Sequence, residues 1–363
     1  MKVITVFGTR PEMIKLWSTI YELENSRINH ITVHTGQNYT PELKDKFFDD
    51  LSIRSPDYSL SIRTGNYAEE ISDILIETDK IFYKEKPDVL VVLGDTYSGM
   101  CALSAKRRGI KVVHMEAGLR SYDARMPEQM NRKILDHIAD LNLVFHSYHR
   151  ENLLREGIHP GKILITGNPT FETLRHFKNL IDKSNIINKL ELNGLDYFLV
   201  TAHRTETVDD PVRLTMLIES LIELRKKYGV AIIFPMHPRT FNKLEGVAKK
   251  INLDELKIIK PLGYFDYNKL AANAKLLLGD SGTTPEEGLF FNVPVISLRD
   301  TTERIETLEA GGHIVSGLSI NDILDASDFA ISSRGPVRYD LMNGLNTGQV
   351  VVNSLLNRIK HFF

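Results

Sequence analysis

Two carboxylates stand where short apolar runs end. Asp95 lies in Gly94-Asp95-Thr96 after Val89–Leu93, and Glu116 opens Glu116-Ala117-Gly118-Leu119-Arg120 after Lys111–Met115. In open α/β sheets ligands bind outside the carboxyl ends of the strands, so both groups are aimed at such a site. Two neighbouring carboxylates repel, which raises one pKa and yields a general acid–base pair. Each taken alone reads as a helix N-cap, but two on successive strands favour chemistry. Glu128 and Arg132 fall at i and i+4 in Pro127-Glu128-Gln129-Met130-Asn131-Arg132. Pro127 can open a helix there, and the pair alone reads as a surface salt bridge.

The second half of the chain places histidines at the same kind of position. His203 follows Phe198–Thr201 and His237 follows Ala231–Pro235, each with an arginine nearby, Arg204 or Arg239. Histidine moves protons near neutral pH, and arginine suits phosphate. Neither histidine has the His-Glu-x-x-His spacing of a zinc site, and one cysteine cannot make a cysteine metal cluster. Two turns are shaped for an anion. Gly8-Thr9-Arg10-Pro11-Glu12-Met13-Ile14-Lys15 leads from a strand into a helix, whose N-terminus offers amide donors and a positive dipole end. Arg10 and Lys15 add formal charge. The later glycines of a dinucleotide fingerprint are missing, and there is no Walker A pattern. The second turn is Gly279-Asp280-Ser281-Gly282-Thr283-Thr284-Pro285-Glu286-Glu287-Gly288. Ser281 and Gly282 sit in the turn, while Glu287 lies one to two helical turns in, where a carboxylate can accept both hydroxyls of a ribose. Glu286 reads equally as an acidic first turn favoured by the dipole. Arg299-Asp300-Thr301-Thr302-Glu303-Arg304 is unusually dense in charge for a turn beside a core.

These residues need strands to carry them. Val3–Phe7, His30–Val33, Val89–Leu93, Lys111–Met115, Phe198–Thr201, Ala231–Pro235, Leu256–Ile259, Lys275–Leu278 and Pro294–Leu298 are nearly unbroken apolar runs, as expected for parallel strands buried on both faces. Glu69–Lys84 and Leu214–Lys227 carry apolar residues at helical spacing. Alternating strands and helices predict an α/β protein of two Rossmann-like domains facing a cleft. The boundaries expected are 1–169 and 170–345, and the last segment, at about 346–363, reads as a helix that could pack on either domain. Trp17 and Cys101 read as core residues.

Composition narrows the function. The 363 residues are 42% hydrophobic and 25% charged, in the range of an ordinary soluble enzyme or binding protein. A formal charge of −2 argues against bulk attraction to nucleic acid or an anionic membrane. No apolar run reaches the ~18 residues of a membrane span. The amino terminus lacks a secretory pattern, and cytoplasm is the expected compartment.

Taken in order, the motifs resemble the non-hydrolysing UDP-N-acetylglucosamine 2-epimerases. They are Gly8-Thr9-Arg10-Pro11-Glu12 with Lys15, His34-Thr35-Gly36-Gln37, Gly94-Asp95-Thr96, Glu116–Arg120, Pro127-Glu128 with Asn131-Arg132, Thr201-Ala202-His203-Arg204, Asp280-Ser281-Gly282, Glu286-Glu287, and Arg299 to Arg304. The match runs from residue 3 to about 312. The resemblance implies a GT-B-like fold in which the terminal helix at about 346–363 joins the first domain, a homodimer, and no nicotinamide, metal or other cofactor. It implies reversible inversion at C2 of a UDP-sugar through elimination of UDP to a 2-acetamidoglucal and re-addition. By position, Asp95, Glu116, Glu128 and His203 match the acid–base set. Arg10, His237, Ser281, Gly282 and Glu287 match UDP contacts, and Lys15, Arg132 and Arg304 match cations of the cleft.

The sequence also departs from the common bacterial pattern. Asn38-Tyr39-Thr40 follow Gln37, an Arg-Gln pair is missing from Thr64–Glu69, and Thr205-Glu206-Thr207 replace Arg-Glu-Asn. Two of these fall where some bacterial members bind a second UDP-GlcNAc as activator, so that regulation is not expected in its usual form. Phe47-Phe48-Asp49-Asp50-Leu51, Pro261-Leu262-Gly263-Tyr264 and Asp280-Ser281-Gly282-Thr283 look more like the capsule and O-antigen branch, which implies two alternative substrates. One is a 6-deoxy-talose precursor of UDP-N-acetyl-L-fucosamine, the other a diacetamido-uronic acid. A GT-B glycosyltransferase and a silent UDP-sugar sensor are readings of other classes. The first predicts an acceptor-dependent product, the second binding without turnover.

Overall fold

Unbroken Val, Ile and Leu runs become strands whose side chains are covered on both faces. The computed structural model describes residues 1–37, 48–63, 65–236, 238–247, 252–332 and 346–359. The chain divides into two units, Met1–Thr173 with Met342–Phe363, and Leu174–Leu341. The division falls inside the helix Pro169–Lys183, which begins where the composition changes.

The first unit holds β1 (Lys2–Phe7), β2 (Asn29–His34), β3 (Tyr58–Ser59), β4 (Val89–Leu93), β5 (Lys111–Met115), β6 (Leu141–Val144) and β7 (Ile163–Ile165). They form one sheet in the order β3-β2-β1-β4-β5-β6-β7, and every pairing is parallel. β4 is buried at all five positions, as two-sided coverage by helices requires. Ile4, Val6, Leu90, Val92 and Val112 from the strands pack with Ile74, Phe82 and Leu135 from the helices. Helix Thr347–Ser354 lies against helix Arg10–Glu24. A Cβ on Gly348 would come within 2.3 Å of the Ser18 carbonyl oxygen, so this close approach needs glycine.

The second unit repeats the plan. β8 (Tyr197–Thr201), β9 (Ala231–Pro235), β10 (Lys257–Ile259), β11 (Leu276–Gly279), β12 (Val295–Ser297) and β13 (His313–Val315) run in the order β10-β9-β8-β11-β12-β13, again all parallel. Phe198, Val200, Ile232, Phe234 and Leu278 pack against Leu217, Leu221 and Leu224 of the helix Pro211–Tyr228. The fold class is the doubly wound α/β arrangement expected, twice over.

In such sheets the connections reverse direction at one pair of strands, and the crevice there is the ligand position. That pair is β1 and β4 in the first unit, and β8 and β11 in the second. The segments that carry the candidate chemistry, Gly8–Lys15, Gly94–Thr96, Ala202–Arg204 and Asp280–Gly282, leave from these four strands. Four strands are absent from the sequence expectation: β3, β6, β7 and β13. Each has two to four residues, and β6 contains the polar Asn142.

Candidate active site

At the β1–β4 crevice, Gly8 is required by crowding. A Cβ there would lie 2.1 Å from Thr35 Oγ1 and 2.5 Å from Ser98 Oγ, two hydroxyls that bond each other at 2.7 Å. Pro11 and Glu12 fall in the first turn of helix Arg10–Glu24. Glu12 curls back so that Oε2 accepts from the Gly8 amide at 3.0 Å, the Thr9 amide at 2.8 Å and Thr9 Oγ1 at 2.8 Å. Its Oε1 accepts from Thr96 Oγ1 at 2.8 Å, stapling the end of β1 to the end of β4. The amides of Gly8 and Thr9 thus serve the chain's own carboxylate. Burial pushes the Glu12 pKa up to about 7, against the pull of these donors. Arg10 remains beside the turn, with burial lowering its pKa.

The two strand-end carboxylates each lie beside a cation. Lys15, one turn into its helix, donates to Glu116 Oε1 at 2.6 Å, and both side chains are at least nine-tenths buried. Arg132 forms an ion pair with Asp95, and Asn131 Nδ2 donates to the Asp95 carbonyl at 2.8 Å. Lys15 and Arg132 are thus both engaged with carboxylates of the protein itself. Helix Pro127–Ile138 forms as expected, but Arg132 turns inward to Asp95. Glu128, in the first turn, is half-buried and makes no hydrogen bond or ion pair among the described residues. It lies close enough to Tyr97 to help raise that phenol's pKa, behind burial and Glu70.

Glu116 adopts φ +63°, a left-handed conformation that L-residues with a full side chain avoid. The surrounding structure enforces it. His114, the residue two before, places Nδ1 2.9 Å from Asp136 and Nε2 2.8 Å from the Gly94 carbonyl. Asp136 accepts from the Gly118 amide and pairs with Arg120 at 2.7 Å, while Arg120 makes a two-pronged contact with Glu156. Burial alone would raise the Asp136 pKa, but His114 and Arg120 outweigh it and the pKa falls. Gly118 has φ +79°, and a Cβ would meet the His149 carbonyl oxygen at 2.3 Å. Strain of this kind, held by a buried network, is a common mark of a functional residue.

At the β8–β11 crevice, His203 leaves β8 with its side chain half exposed, and Asp280 leaves β11 fully buried. Asp280 Oδ2 accepts from the amides of His203 at 2.9 Å and Arg204 at 2.8 Å. Its Oδ1 stands 3.5 Å from His203 Nδ1. Ser281 Oγ lies 3.1 Å from Thr283 Oγ1, shaping the turn before helix Thr284–Phe291. A Cβ on Gly282 would lie 3.4 Å from Glu303 Oε1, tight against a neighbouring loop. Glu287 is buried in that helix, where its charge raises the phenols of Tyr264 and Tyr267 after burial has done so, and Tyr267 bonds to it. Arg304 is turned inward, 2.9 Å from Glu286, so its charge locks the loop after β12 to the same helix. Arg299 pairs likewise with Glu303 at 2.8 Å. His237 lies outside the described residues, as do Asn38-Tyr39-Thr40 and Thr64.

The sequence reading missed Glu12, the His114–Asp136–Arg120 network and Asp280 as parts of the site. Asp280 carried the same signal as Asp95, a carboxylate at a strand end beside glycine. Trp17 is core, as expected, with Nε1 donating to the Leu51 carbonyl at 3.0 Å. No described group of three or more His, Cys, Asp or Glu is arranged to hold a metal, and no described helix is long and apolar enough to cross a membrane.

Each doubly wound unit thus carries polar groups at its strand ends, ion-paired carboxylates in the first and His203 with Asp280 in the second, the placement of an α/β enzyme's ligand site. Comparison with known proteins narrows the class. The family model described as UDP-N-acetylglucosamine 2-epimerase matches residues 21–346. The UDP-N-acetylglucosamine 2-epimerase of Methanocaldococcus jannaschii is 39% identical, over 97% of this chain and 98% of its own. Its crystal structure in complex with UDP-GlcNAc and UDP superposes with a TM-score of 0.92 at 37% identity, covering 98% of this chain and 99% of that one. The UDP-2,3-diacetamido-2,3-dideoxy-D-glucuronate 2-epimerase of Pseudomonas aeruginosa is 33% identical, over 90% of this chain and 91% of its own. The chain belongs to the UDP-N-acetylglucosamine 2-epimerase family.

Proposed function

We propose that this protein reversibly inverts C2 of a UDP-2-acetamido sugar, converting UDP-GlcNAc to UDP-ManNAc. The observation that carries the reading is full-length similarity to an epimerase whose structure holds UDP-GlcNAc and UDP. The acid–base set supports it. The C2 proton is only weakly acidic, so its removal is coupled to cleavage of the C1–O bond to UDP. The electron pair of the C2–H bond becomes the C1–C2 double bond of a 2-acetamidoglucal, and UDP takes the C1–O pair. Re-addition of UDP to C1 with a proton delivered to the opposite face of C2 completes the inversion. Such chemistry needs a base, an acid and stabilisation of the departing phosphate.

Asp95, Glu116, Glu128 and His203 are assigned to the proton transfers. Glu128 is the carboxylate of the set without a cation or donor among the described residues. Lys15 and Arg132 act through Glu116 and Asp95, holding them as oriented carboxylates. Arg10, His237, Ser281, Gly282 and Glu287 are assigned to UDP, with Glu287 on the ribose. Arg304 acts through Glu286 to hold the helix that carries Glu287. The enzyme works without a cofactor, as a cytoplasmic homodimer.

The relative acting on a diacetamido-glucuronate favours a second substrate, at lower identity. Incubation of the pure protein with each UDP-sugar separately, with no acceptor and with chromatographic separation of epimers, tests both. The account predicts a UDP-ManNAc peak from UDP-GlcNAc alone. Product only from the diacetamido-glucuronate would replace the substrate. Product only when a sugar acceptor is added would replace the reaction class by glycosyl transfer.

A further inference from the structure

We infer that Asp280 is a positioning residue that fixes the ring of His203 as the Nδ1–H tautomer and so presents Nε2 as the proton-accepting atom. The inference rests on the reading of His203 as an acid–base residue. Gly279 pairs with Thr201 across β11 and β8, and the two residues leave these adjacent strands at the point where the connections reverse. The Asp280 amide donates to the Thr201 carbonyl at 3.1 Å, tying the two strand ends together before the side chain acts.

The carboxylate divides its two oxygens. Oδ2 holds the loop backbone through the amides of His203 and Arg204. Oδ1 is fully buried and accepts no hydrogen bond among the described residues. Its neighbour is His203 Nδ1 at 3.5 Å. A small rotation of the half-exposed ring brings this to hydrogen-bond length, and such bonds are often long before a ligand arrives. A neutral imidazole carries one N–H, and a carboxylate can only accept. Oδ1 therefore selects the proton on Nδ1 and leaves the lone pair on Nε2. A loop anchor alone would not need the second oxygen: an asparagine supplies one acceptor for the two amides.

Asparagine is thus the discriminating substitution. In Asp280→Asn the amide oxygen keeps the backbone contacts, and the NH2 group now faces Nδ1. That reverses the selection, placing the proton on Nε2. The same reversal in the aspartate of a hydrolase triad lowers kcat by about 10⁴-fold.

The first test needs no variant at Asp280. Proton–nitrogen correlation spectra of protein labelled with 15N-histidine, at about pH 8.5 and so two units above the ordinary imidazole value, report which ring nitrogen bears the proton. His203→Gln, at an exposed side chain, assigns the signals. The expected result is a lone-pair signature on Nε2 of His203, moving to Nδ1 in Asp280→Asn. Kinetics should show kcat lowered about 10²- to 10⁴-fold in Asp280→Asn, with KM changed less than about two-fold, and the double variant no slower than His203→Gln. A proton on Nε2 in the wild type overturns the inference whether or not the variant folds. So does an Asp280→Asn enzyme with wild-type kcat while His203→Gln is inactive. If His203→Gln itself retains turnover, the acid–base role of His203 fails instead, and the tautomer measurement still decides what Asp280 does.

Discussion

Replacement of Lys15 by methionine should destabilise the first unit more than almost any other single substitution in it. The ammonium lies 2.6 Å from Glu116 Oε1, with 3% and 10% of the two side chains exposed. At an effective dielectric of about 20 that separation gives about 6 kcal/mol of attraction, most of it offset by desolvation of the two ions. Removing one partner of a buried ion pair costs about 3–5 kcal/mol. For a unit of this size each kcal/mol lowers the melting temperature by about 2–4 °C, so the unit's transition should fall by about 6–20 °C. Calorimetry on the wild type, Lys15→Met, Glu116→Gln and the double variant forms a double-mutant cycle. The double variant should recover about 1–3 kcal/mol relative to the sum of the singles. A Lys15→Met shift below about 2 °C, with additive effects, would refute the claim that this pair organises the β5 end.

Three further outcomes follow from the same structure. Burial depresses His30 and His313 to about 4, so each stabilises the fold above pH 6.5 and loses up to about 3 kcal/mol as pH falls through 4. Glu12, raised to about 7, acts oppositely: its contribution is complete below about 4.5 and is lost as pH rises through 7. In urea unfolding at a series of pH values, His313→Gln should therefore flatten the rise of stability between pH 4 and 6.5, and Glu12→Gln should steepen it between 4.5 and 7. An unchanged slope removes the residue concerned from the account. Gly118→Ala puts a methyl group 2.3 Å from the His149 carbonyl oxygen at φ +79°, and should cost about 2–3 kcal/mol by thermal unfolding; a loss under about 0.5 kcal/mol would show that the loop yields freely. Glu287→Ala should weaken UDP binding about 10- to 100-fold in titration calorimetry, as loss of charged hydrogen bonds to a ribose implies. Unchanged affinity would end the ribose assignment.

The strands that carry the site were legible because they are buried on both faces. Val89–Leu93 and Lys111–Met115 match β4 and β5, and Ala231–Pro235 matches β9. β6 was hidden by Asn142, whose amide is buried because it donates to the Asp136 carbonyl at 3.0 Å. That bond is a tertiary fact, invisible to a hydropathy pattern. Three-residue strands such as β7 have too few positions to show a period. Within the site, residue types at strand ends could be read, but their partners could not. Lys15 and Glu116 are 101 positions apart, so nothing local distinguishes a ligand-facing cation from a carboxylate's counter-ion. The carboxylates Asp95 and Glu116 could therefore be read, but not the Arg132 and Lys15 that pair with them. The turn at Gly8 was read as an open anion site because closure of its amides depends on how the Glu12 side chain folds back.

The central claim is proton exchange at C2 during reversible loss of UDP. Proton NMR of the pure protein with UDP-GlcNAc in deuterated water, without acceptor or added cofactor, addresses it directly. The account predicts UDP-ManNAc with deuterium at C2, and deuterium entering C2 of the recovered UDP-GlcNAc as equilibrium is approached. UDP-ManNAc that retains the original C2 proton would contradict the mechanism, and a UDP-GlcNAc spectrum that never changes would contradict the substrate.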